Sequence, residues 1–289
     1  MTASDLVIVI VSYNVRDLLC QLLQRLHRQR VIVVDNASTD GSAAMVREQF
    51  PSVHLIANAE NRGFAAACNQ GIRASQEPFI LILNPDTMID QQAVETLLET
   101  MRQDSRIGAC GPRFLWPDGT LQPSCRRFPT LPRVLLDELG LGKLFPKSRL
   151  LGDYRMSWWA HNQRREVDQL MGAAIMLRRA ALNTVGLFDE QFFLYYEEVD
   201  LCLRLHRAGW KVLFVPEATA THHGGASAKQ TLARTTMARY QSLFAFYRKH
   251  YPHWHRWILK PVIALAAALR LLTPRRRAFA PLLWKIWSL

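Results

Sequence analysis

Phe79-Ile80-Leu81-Ile82-Leu83-Asn84-Pro85-Asp86 is the stretch on which the fold turns. Five consecutive apolar residues, too short for a buried helix, read as a strand covered on both faces, as in a parallel sheet. Asn84 and Pro85 break the run, so the strand delivers the carboxylate of Asp86 to its carboxyl end. In open α/β sheets ligands bind along that edge.

Two earlier segments repeat the pattern. Leu6 to Val11 is an apolar run ending in Ser12-Tyr13-Asn14, followed by Leu18, Leu22 and Leu26 at helical spacing. Val31 to Val34 ends in Asp35-Asn36-Ala37-Ser38-Thr39-Asp40-Gly41-Ser42, a density of Asp, Asn, Ser and Gly that marks a tight turn and a helix start. His54-Leu55-Ile56 then leads through Asn61-Arg62-Gly63-Phe64 into a small-residue helix, Ala65 to Ala74. Strands alternating with helices predict an α/β fold, with a mixed, mostly parallel sheet flanked by helices. No Gly-x-Gly-x-x-Gly follows the first strand and no Gly-Lys-Ser/Thr occurs, which disfavours a dinucleotide enzyme and a P-loop ATPase.

Four ordered segments carry a resemblance. They are Val34 to Ser42, Asn61 to Gly71, Leu83 to Thr87, and a later block. That block runs from Gly186-Leu187-Phe188-Asp189-Glu190 through Tyr195-Tyr196-Glu197-Glu198-Val199-Asp200-Leu201, with Arg204 and Gly209-Trp210. Together they resemble the family 2 glycosyltransferases, and within them the bacterial rhamnosyltransferase-like enzymes, over roughly residues 5 to 230. The resemblance implies a GT-A, Rossmann-like nucleotide-diphospho-sugar transferase fold. It implies inverting transfer of a sugar, rhamnose from dTDP-rhamnose by preference, to a hydroxyl of a saccharide or polyprenyl-linked saccharide in cell-surface polysaccharide synthesis. Two other classes share the fold: a catalytically degenerate nucleotide-binding or scaffold protein, and a sugar nucleotidyltransferase. The latter's Gly-rich, basic loop after the first strand is absent here.

The same resemblance implies the donor site. Ser12, Tyr13, Asn14, Asp35 and Asn36 would hold base and ribose, and Arg62, Gly63 and Asn69 would lie along the donor. Arg62 is a candidate for forked pairing with phosphate. Asn84 and Asp86 would meet the diphosphate, and Asn84 stands where the family's Asp-x-Asp motif has its first carboxylate. Asp86 is the expected ligand of Mg²⁺ or Mn²⁺, a hard cation suited to carboxylate and diphosphate oxygens. His222, in His222-His223-Gly224-Gly225-Ala226-Ser227, is a second candidate for metal or diphosphate contact; this turn follows a predicted strand, Val212 to Val215.

The general base follows from helix geometry. Glu197 to Ala208 reads as a helix ended by Gly209. Asp200 can pair with Arg204 four residues on. Glu198 shares its face with Leu201, Cys202 and Leu205, the inward face, where burial raises a carboxylate's proton affinity and suits it to act as a base. Glu198 also occupies the place of the Asp in the family's Glu-Asp pair, so it is the expected catalytic base, with Asp200 a secondary candidate.

Residues 116 to 171 differ in character. Prolines, Pro117-Asp118-Gly119, Arg126-Arg127 and an Arg/Trp stretch from Tyr154 to Arg165 suggest an acceptor-side region. Gly172-Ala173-Ala174 would let the chain approach the donor closely. Charge divides the molecule further. The net charge is +12, and after Glu217 there are 12 Lys/Arg and no acidic residue, so the entire excess lies in the last quarter. That region carries Trp254, Trp257, Trp284 and Trp287, and its apolar stretch, Pro261 to Leu269, falls well short of the ~20 residues of a membrane span. The expected organisation is a transferase domain over 1–230, with a donor half to about 115 and an acceptor half from about 116. A basic, Trp-rich helical tail over 231–289 would lie on an anionic membrane surface. No nucleic-acid recognition motif accompanies the charge. Five scattered cysteines without a Cys-x-x-Cys pair suggest a reducing compartment, and no secretory leader is evident. The expected location is cytoplasmic, peripheral on the inner face of the cell membrane.

Overall fold

The computed structural model describes residues 5–26, 29–224, 232–273 and 276–289. The apolar runs become strands: β1 (Leu6–Ser12), β2 (Arg30–Asp35), β3 (His54–Ala57) and β4 (Phe79–Leu83). They are followed by β5 (Thr87–Ile89), β6 (Ile107–Leu115), β7 (Leu121–Gln122), β8 (Arg165–Glu166), β9 (Ala174–Arg178) and β10 (Lys211–His222). Between and after them lie α1 (Arg16–Arg25), α2 (Ser42–Gln49), α3 (Phe64–Arg73), α4 (Gln91–Gln103), α5 (Leu131–Glu138) and α6 (Leu141–Leu144). The remaining helices are α7 (Arg179–Val185), α8 (Glu197–Arg207), α9 (Leu232–His250), α10 (Trp254–Arg270) and α11 (Arg276–Lys285).

One ten-stranded sheet runs in the order β3-β2-β1-β4-β9-β6-β10-β5, with β7 on β6 and β8 on β10. β3, β2, β1 and β4 are parallel, β9 is reversed, and β6 and β10 return to the first direction. Every residue of β1 and β4 is buried, which is why both read as unbroken apolar runs. Side chains alternate across the pleat, so Leu6, Ile8 and Ile10 join one core layer and Val7, Val9 and Val11 the other. Helix α1 buries Leu19, Leu22, Leu23 and Leu26, a face centred one residue beyond the expected Leu18 stripe.

Two features position the site. The predicted strand Val212 to Val215 does not stop there: β10 continues to His222 through an irregularity between Val215 and Thr219. Pro216 cannot donate to the ladder, and the bulge re-aims the strand instead of ending it. Its far end pairs antiparallel with β5, bringing His222 opposite Thr87, the neighbour of Asp86.

The second feature is a third apolar core beside the sheet. It joins Leu131 and Val134 of α5, Phe192, Tyr196 and Val199, the aromatic face of α9, and residues of α10 and α11. Tyr240, Phe244, Phe246 and Tyr247 are essentially fully buried there, each worth about 1.5–3 kcal/mol of burial. Described residues before 225 and after 231 therefore share one apolar core, which ties the sheet domain to the C-terminal helices. Among the described residues no helix is long and apolar enough to cross a membrane.

Candidate functional site

The carboxyl ends of β1, β2 and β4 open into a cleft of about 620 Å³. On one wall stand Tyr13, Asn36, Asn61, Gly63, Asn84, Pro85 and Asp86, and at its floor Glu197, Glu198 and His222. Several buried oxygens here have no hydrogen-bond partner: Asp35 Oδ1, Asn84 Oδ1, Ser12 Oγ, Thr87 Oγ1, and one oxygen each of Glu197 and Glu198. Buried polar atoms are nearly always satisfied, so a cluster of exceptions along one strand edge marks where a ligand belongs.

Asp35 is 2% exposed and uses Oδ2 to accept from the Ser38 N–H at 3.0 Å, while Oδ1 remains available. Asn14 and Asn36 are braces. Asn14 accepts from the Thr39 N–H at 2.7 Å, and its own N–H donates to Ser38 Oγ. Asn36 donates to Asn61 Oδ1 and the Gly63 carbonyl, and accepts from Asn58 and the Arg62 N–H. Its side chain borders the cleft fully committed to the 58–63 turn.

Three expected donor residues are not brought to the cleft in the expected way. Arg62 has an exposed side chain outside the cleft wall, because the turn presents Asn61 and Gly63 inward. Asn69 is 1% exposed within α3, where it donates to the Phe188 carbonyl and Glu190 and accepts from the Phe188 N–H. Gly63 does border the cleft, but its backbone requirement comes from elsewhere. It sits at φ +85°, and a Cβ would lie 2.6 Å from the Phe193 carbonyl oxygen. The Phe64 N–H donates to that same oxygen at 2.8 Å, so the glycine turn carries the loop leading to Glu198.

Asp86 and His222 meet as the strand register dictates. His222 Nε2 lies 3.5 Å from Asp86 Oδ1, and Nδ1 donates to Gln122 Oε1 at 2.9 Å. That bond fixes the tautomer and turns the Nε2 lone pair toward Asp86, the arrangement by which a second residue orients a metal-binding histidine. The donor set suits a divalent cation: one carboxylate, one imidazole nitrogen, and the neutral, unpartnered Asn84 Oδ1. Among the described residues no group of three or more His, Cys, Asp or Glu gathers around one point, so a cation here would need ligand oxygens to complete its shell.

Glu197 and Glu198 open α8 after Tyr195 and Tyr196, two consecutive non-glycine residues at φ +67° and +69°. Left-handed tyrosines cost energy and persist where the surroundings enforce them, commonly at functional sites. Glu197 is buried and Glu198 half-buried, and their carboxyls lie close enough for each to shift the other's proton affinity. Burial pushes Glu197 well above the usual carboxylate range, and the neighbouring charge of Glu198 pushes it further. Glu198 is also raised by burial, an effect offset in part by backbone hydrogen bonding, then by Glu197 and the positive charge of Arg126. Burial thus favours a proton on the pair, one that the two carboxyls can share. Gly172 flanks Glu198, and a Cβ there would lie 3.8 Å from the Glu198 side chain. The small-residue segment comes close to both the carboxylate and the strand-end wall, where the Asn84 N–H donates to the Ala173 carbonyl at 2.9 Å.

Asp200, the secondary candidate, sits in a buried ion-pair network instead of bordering the cleft. It is 0% exposed and bonded to Arg204, Lys249 and His250, each at 2.7 Å. Those partners outweigh burial and hold it down at about 2. The expected Asp200–Arg204 pair is present, and Lys249 and His250 extend it into α9.

The far wall was least visible in the sequence. It consists of Ser124, Arg126, Tyr154, Arg155 and Gln169 to Ala173 from the middle region, together with Arg234, Thr235, Ala238 and Arg239 of α9. Arg126 and the 154–165 stretch stood out as basic and aromatic. The α9 arginines carried no signal beyond the charge of the tail.

Residues 7–157 match Glycosyl transferase family 2, and residues 149–289 match Glycosyl transferase family group 2. The chain belongs to glycosyl transferase family 2. Within that family, N-acetylglucosaminyl-diphospho-decaprenol L-rhamnosyltransferase of Mycobacterium tuberculosis is 32% identical over 263 residues, covering 86% of this transferase and 85% of its own length. Rhamnosyltransferase WbbL of Escherichia coli is 26% identical over 231 residues, covering 75% and 82%. The transferase is thus of the rhamnosyltransferase-like type. Among solved structures, a mannosyltransferase from Pyrobaculum calidifontis in complex with GDP-Man and Mn²⁺ superposes with a TM-score of 0.58 at 16% identity, covering 99% of this glycosyltransferase and 86% of that chain. That likeness supports the GT-A architecture.

Proposed function

We propose that this glycosyltransferase moves an L-rhamnosyl group from dTDP-rhamnose to a hydroxyl of a saccharide carried on a polyprenyl diphosphate, by a single inverting displacement. The observation that carries the reading is the adjacent Glu197–Glu198 pair in the same cleft as the unpartnered Asn84 oxygen and the Asp86–His222 contact, with the unpartnered Asp35 oxygen on the same sheet edge. The Mycobacterium relative, named for rhamnosyl transfer to N-acetylglucosaminyl-diphospho-decaprenol, supports the donor sugar and the acceptor class.

Each residue then has a task. Asp35 Oδ1 accepts from a base N–H or a ribose hydroxyl, and Tyr13 lies along the nucleotide. Asp86 and His222, with Asn84 as a neutral oxygen donor, would hold a divalent cation, Mg²⁺ or Mn²⁺. The cation supplies positive charge against the leaving diphosphate. Glu198 takes the proton of the acceptor hydroxyl as its oxygen attacks the anomeric carbon and the bond to the nucleotide diphosphate breaks. Glu197 keeps Glu198 ionised by donating to it. The location follows from the C-terminal helices: Trp254, Trp257, Trp284 and Trp287 are more than half exposed beside a surplus of basic residues. Such a surface suits peripheral attachment to the anionic inner face of the membrane.

A thermal-shift panel of dTDP, UDP, GDP and CDP, with and without Mn²⁺ or Mg²⁺, tests the donor site. A ligand at 100 times its Kd adds about 2.7 kcal/mol. Metal-dependent stabilisation by dTDP is the expected result. Stabilisation by another nucleotide alone reassigns the donor, and none under any metal points to a degenerate fold.

A further inference from the structure

The far wall of the cleft carries more positive charge than its own acids absorb. Asp137 is bonded to Arg155, and Glu138, only 4% exposed, accepts from Tyr240 and pairs with Arg239 and Arg270. Both acids of this wall are therefore committed. Arg126 and Arg234 border the same cleft, and neither has a carboxylate within ion-pair distance among the described residues. Lys143 lies near enough to Arg155, Arg239 and Arg270 for their charge to depress its proton affinity further, after burial. A half-enclosed cation cluster of this kind is left seeking an anion, and guanidinium forks match phosphate oxygens.

The surroundings indicate what the anion is attached to. Arg270 reaches Glu138 from the end of α10, so Leu139 and Leu269 flank that ion pair. Leu139, Leu144, Leu265, Leu269 and Leu272 are all about half exposed or more. Leu139 and Leu269, each next in the chain to a member of that ion pair, give a leucine shelf beside the cations that fits a ligand with a diphosphate head and an apolar chain. The donor's diphosphate belongs to Asp86 and His222, which come from different elements, the ends of β4 and β10.

We infer that Arg126, Arg155, Arg234 and Arg239 form a second anion subsite, which binds the diphosphate of a lipid-linked acceptor while its chain leaves over the leucine shelf. This inference rests on the proposed transfer to a polyprenyl-linked saccharide and adds the residues that would select it.

The test measures binding of geranyl diphosphate and of inorganic pyrophosphate to the full chain by calorimetry, in chelator-treated, metal-free buffer. Arg126→Gln and Arg234→Gln remove charge from side chains that hold no ion pair of the fold, and circular dichroism checks that each variant is folded. Geranyl diphosphate is expected to bind more tightly than pyrophosphate, to weaken at least tenfold in each variant, and to persist in excess dTDP. Unchanged affinity in both variants, displacement by dTDP, or no saturable binding overturns the subsite. Equal affinity for the two probes overturns the lipid assignment. Transfer assays separate the two readings. Binding as expected without glycosylation of any acceptor would leave the subsite standing and remove the transfer reading. Equal efficiency on a phosphate-free glycoside and on a diphosphate-linked one would do the reverse.

Discussion

Removing the carboxyl of Glu197 probes the catalytic pair more sharply than removing Glu198 itself. Glu197 is buried and pushed well above the usual carboxylate range, and in the proposed mechanism it keeps its proton and donates to Glu198. A hydrogen bond to a charged group is worth about 1.5–3 kcal/mol. In Glu197→Ala that stabilisation of the Glu198 anion disappears, and burial raises Glu198 further. The sign follows directly: a base works only when ionised, so activity falls on the acid side and the acid limb of the pH–rate profile moves to higher pH. The lost bond lowers the ratio of ionised to protonated Glu198 by a factor of roughly ten to a hundred or more on that limb. Glu197→Gln keeps a donor at the same place, so its limb should stay near the wild-type position. Single-turnover transfer measured from pH 5 to 9 reads both. An unmoved limb in Glu197→Ala, or equal displacement in Glu197→Ala and Glu197→Gln, would refute the assignment of donor and base.

Glu198→Gln should cut the transfer rate by about 10²–10⁴, the usual worth of general base catalysis, while calorimetry shows nucleotide binding within about twofold of wild type. Asp200→Asn leaves Arg204, Lys249 and His250 around a neutral amide and should cost about 3–5 kcal/mol in urea unfolding. In the native protein the contribution of Asp200 is full above 3.8, the ordinary aspartate value, and is lost as pH falls toward about 2. Gly63→Ala must adopt φ +85° against the Phe193 carbonyl; it should destabilise by at least ~1–3 kcal/mol and depress turnover, with a normal melting temperature as the contrary result. Asp86→Asn and His222→Ala should each abolish the metal-dependent part of nucleotide stabilisation in a thermal shift; retention in both would remove the cation from this corner.

The sheet was legible because its central strands are buried on both faces, and an unbroken run such as Phe79 to Leu83 has few other readings. Asp35, Asp86 and Glu198 were legible for a related reason: a polar residue directly after a buried run, or at the start of an amphipathic helix, has its place set by local geometry. Asp200 misled because spacing reveals its helical partner Arg204 but not Lys249 and His250, which arrive from about 50 residues away. Asn69 was hidden in the same way, its partners at 188 and 190 lying across the fold. The extension of β10 to His222 was masked by Pro216, which reads as a strand end unless a bulge absorbs it. Within the tail, composition exposed charge and tryptophan, yet the burial of Tyr240, Phe244 and Tyr247 depends on contacts with α5 and the 192–199 loop that no periodicity encodes.

Helix α9 lends Lys249 and His250 to Asp200 in the first turn of α8, the turn that also holds Glu198, and its other end lines the cleft with Arg234 and Arg239. The C-terminal region is therefore not an exchangeable adaptor. A chimera spliced near residue 230 would swap one wall of the cleft along with the exposed tryptophans, and would replace the partners that anchor the first turn of α8. Recombination between relatives should succeed only when the crossover leaves α8 and α9 together from one parent, so that the two helices are inherited as a single unit.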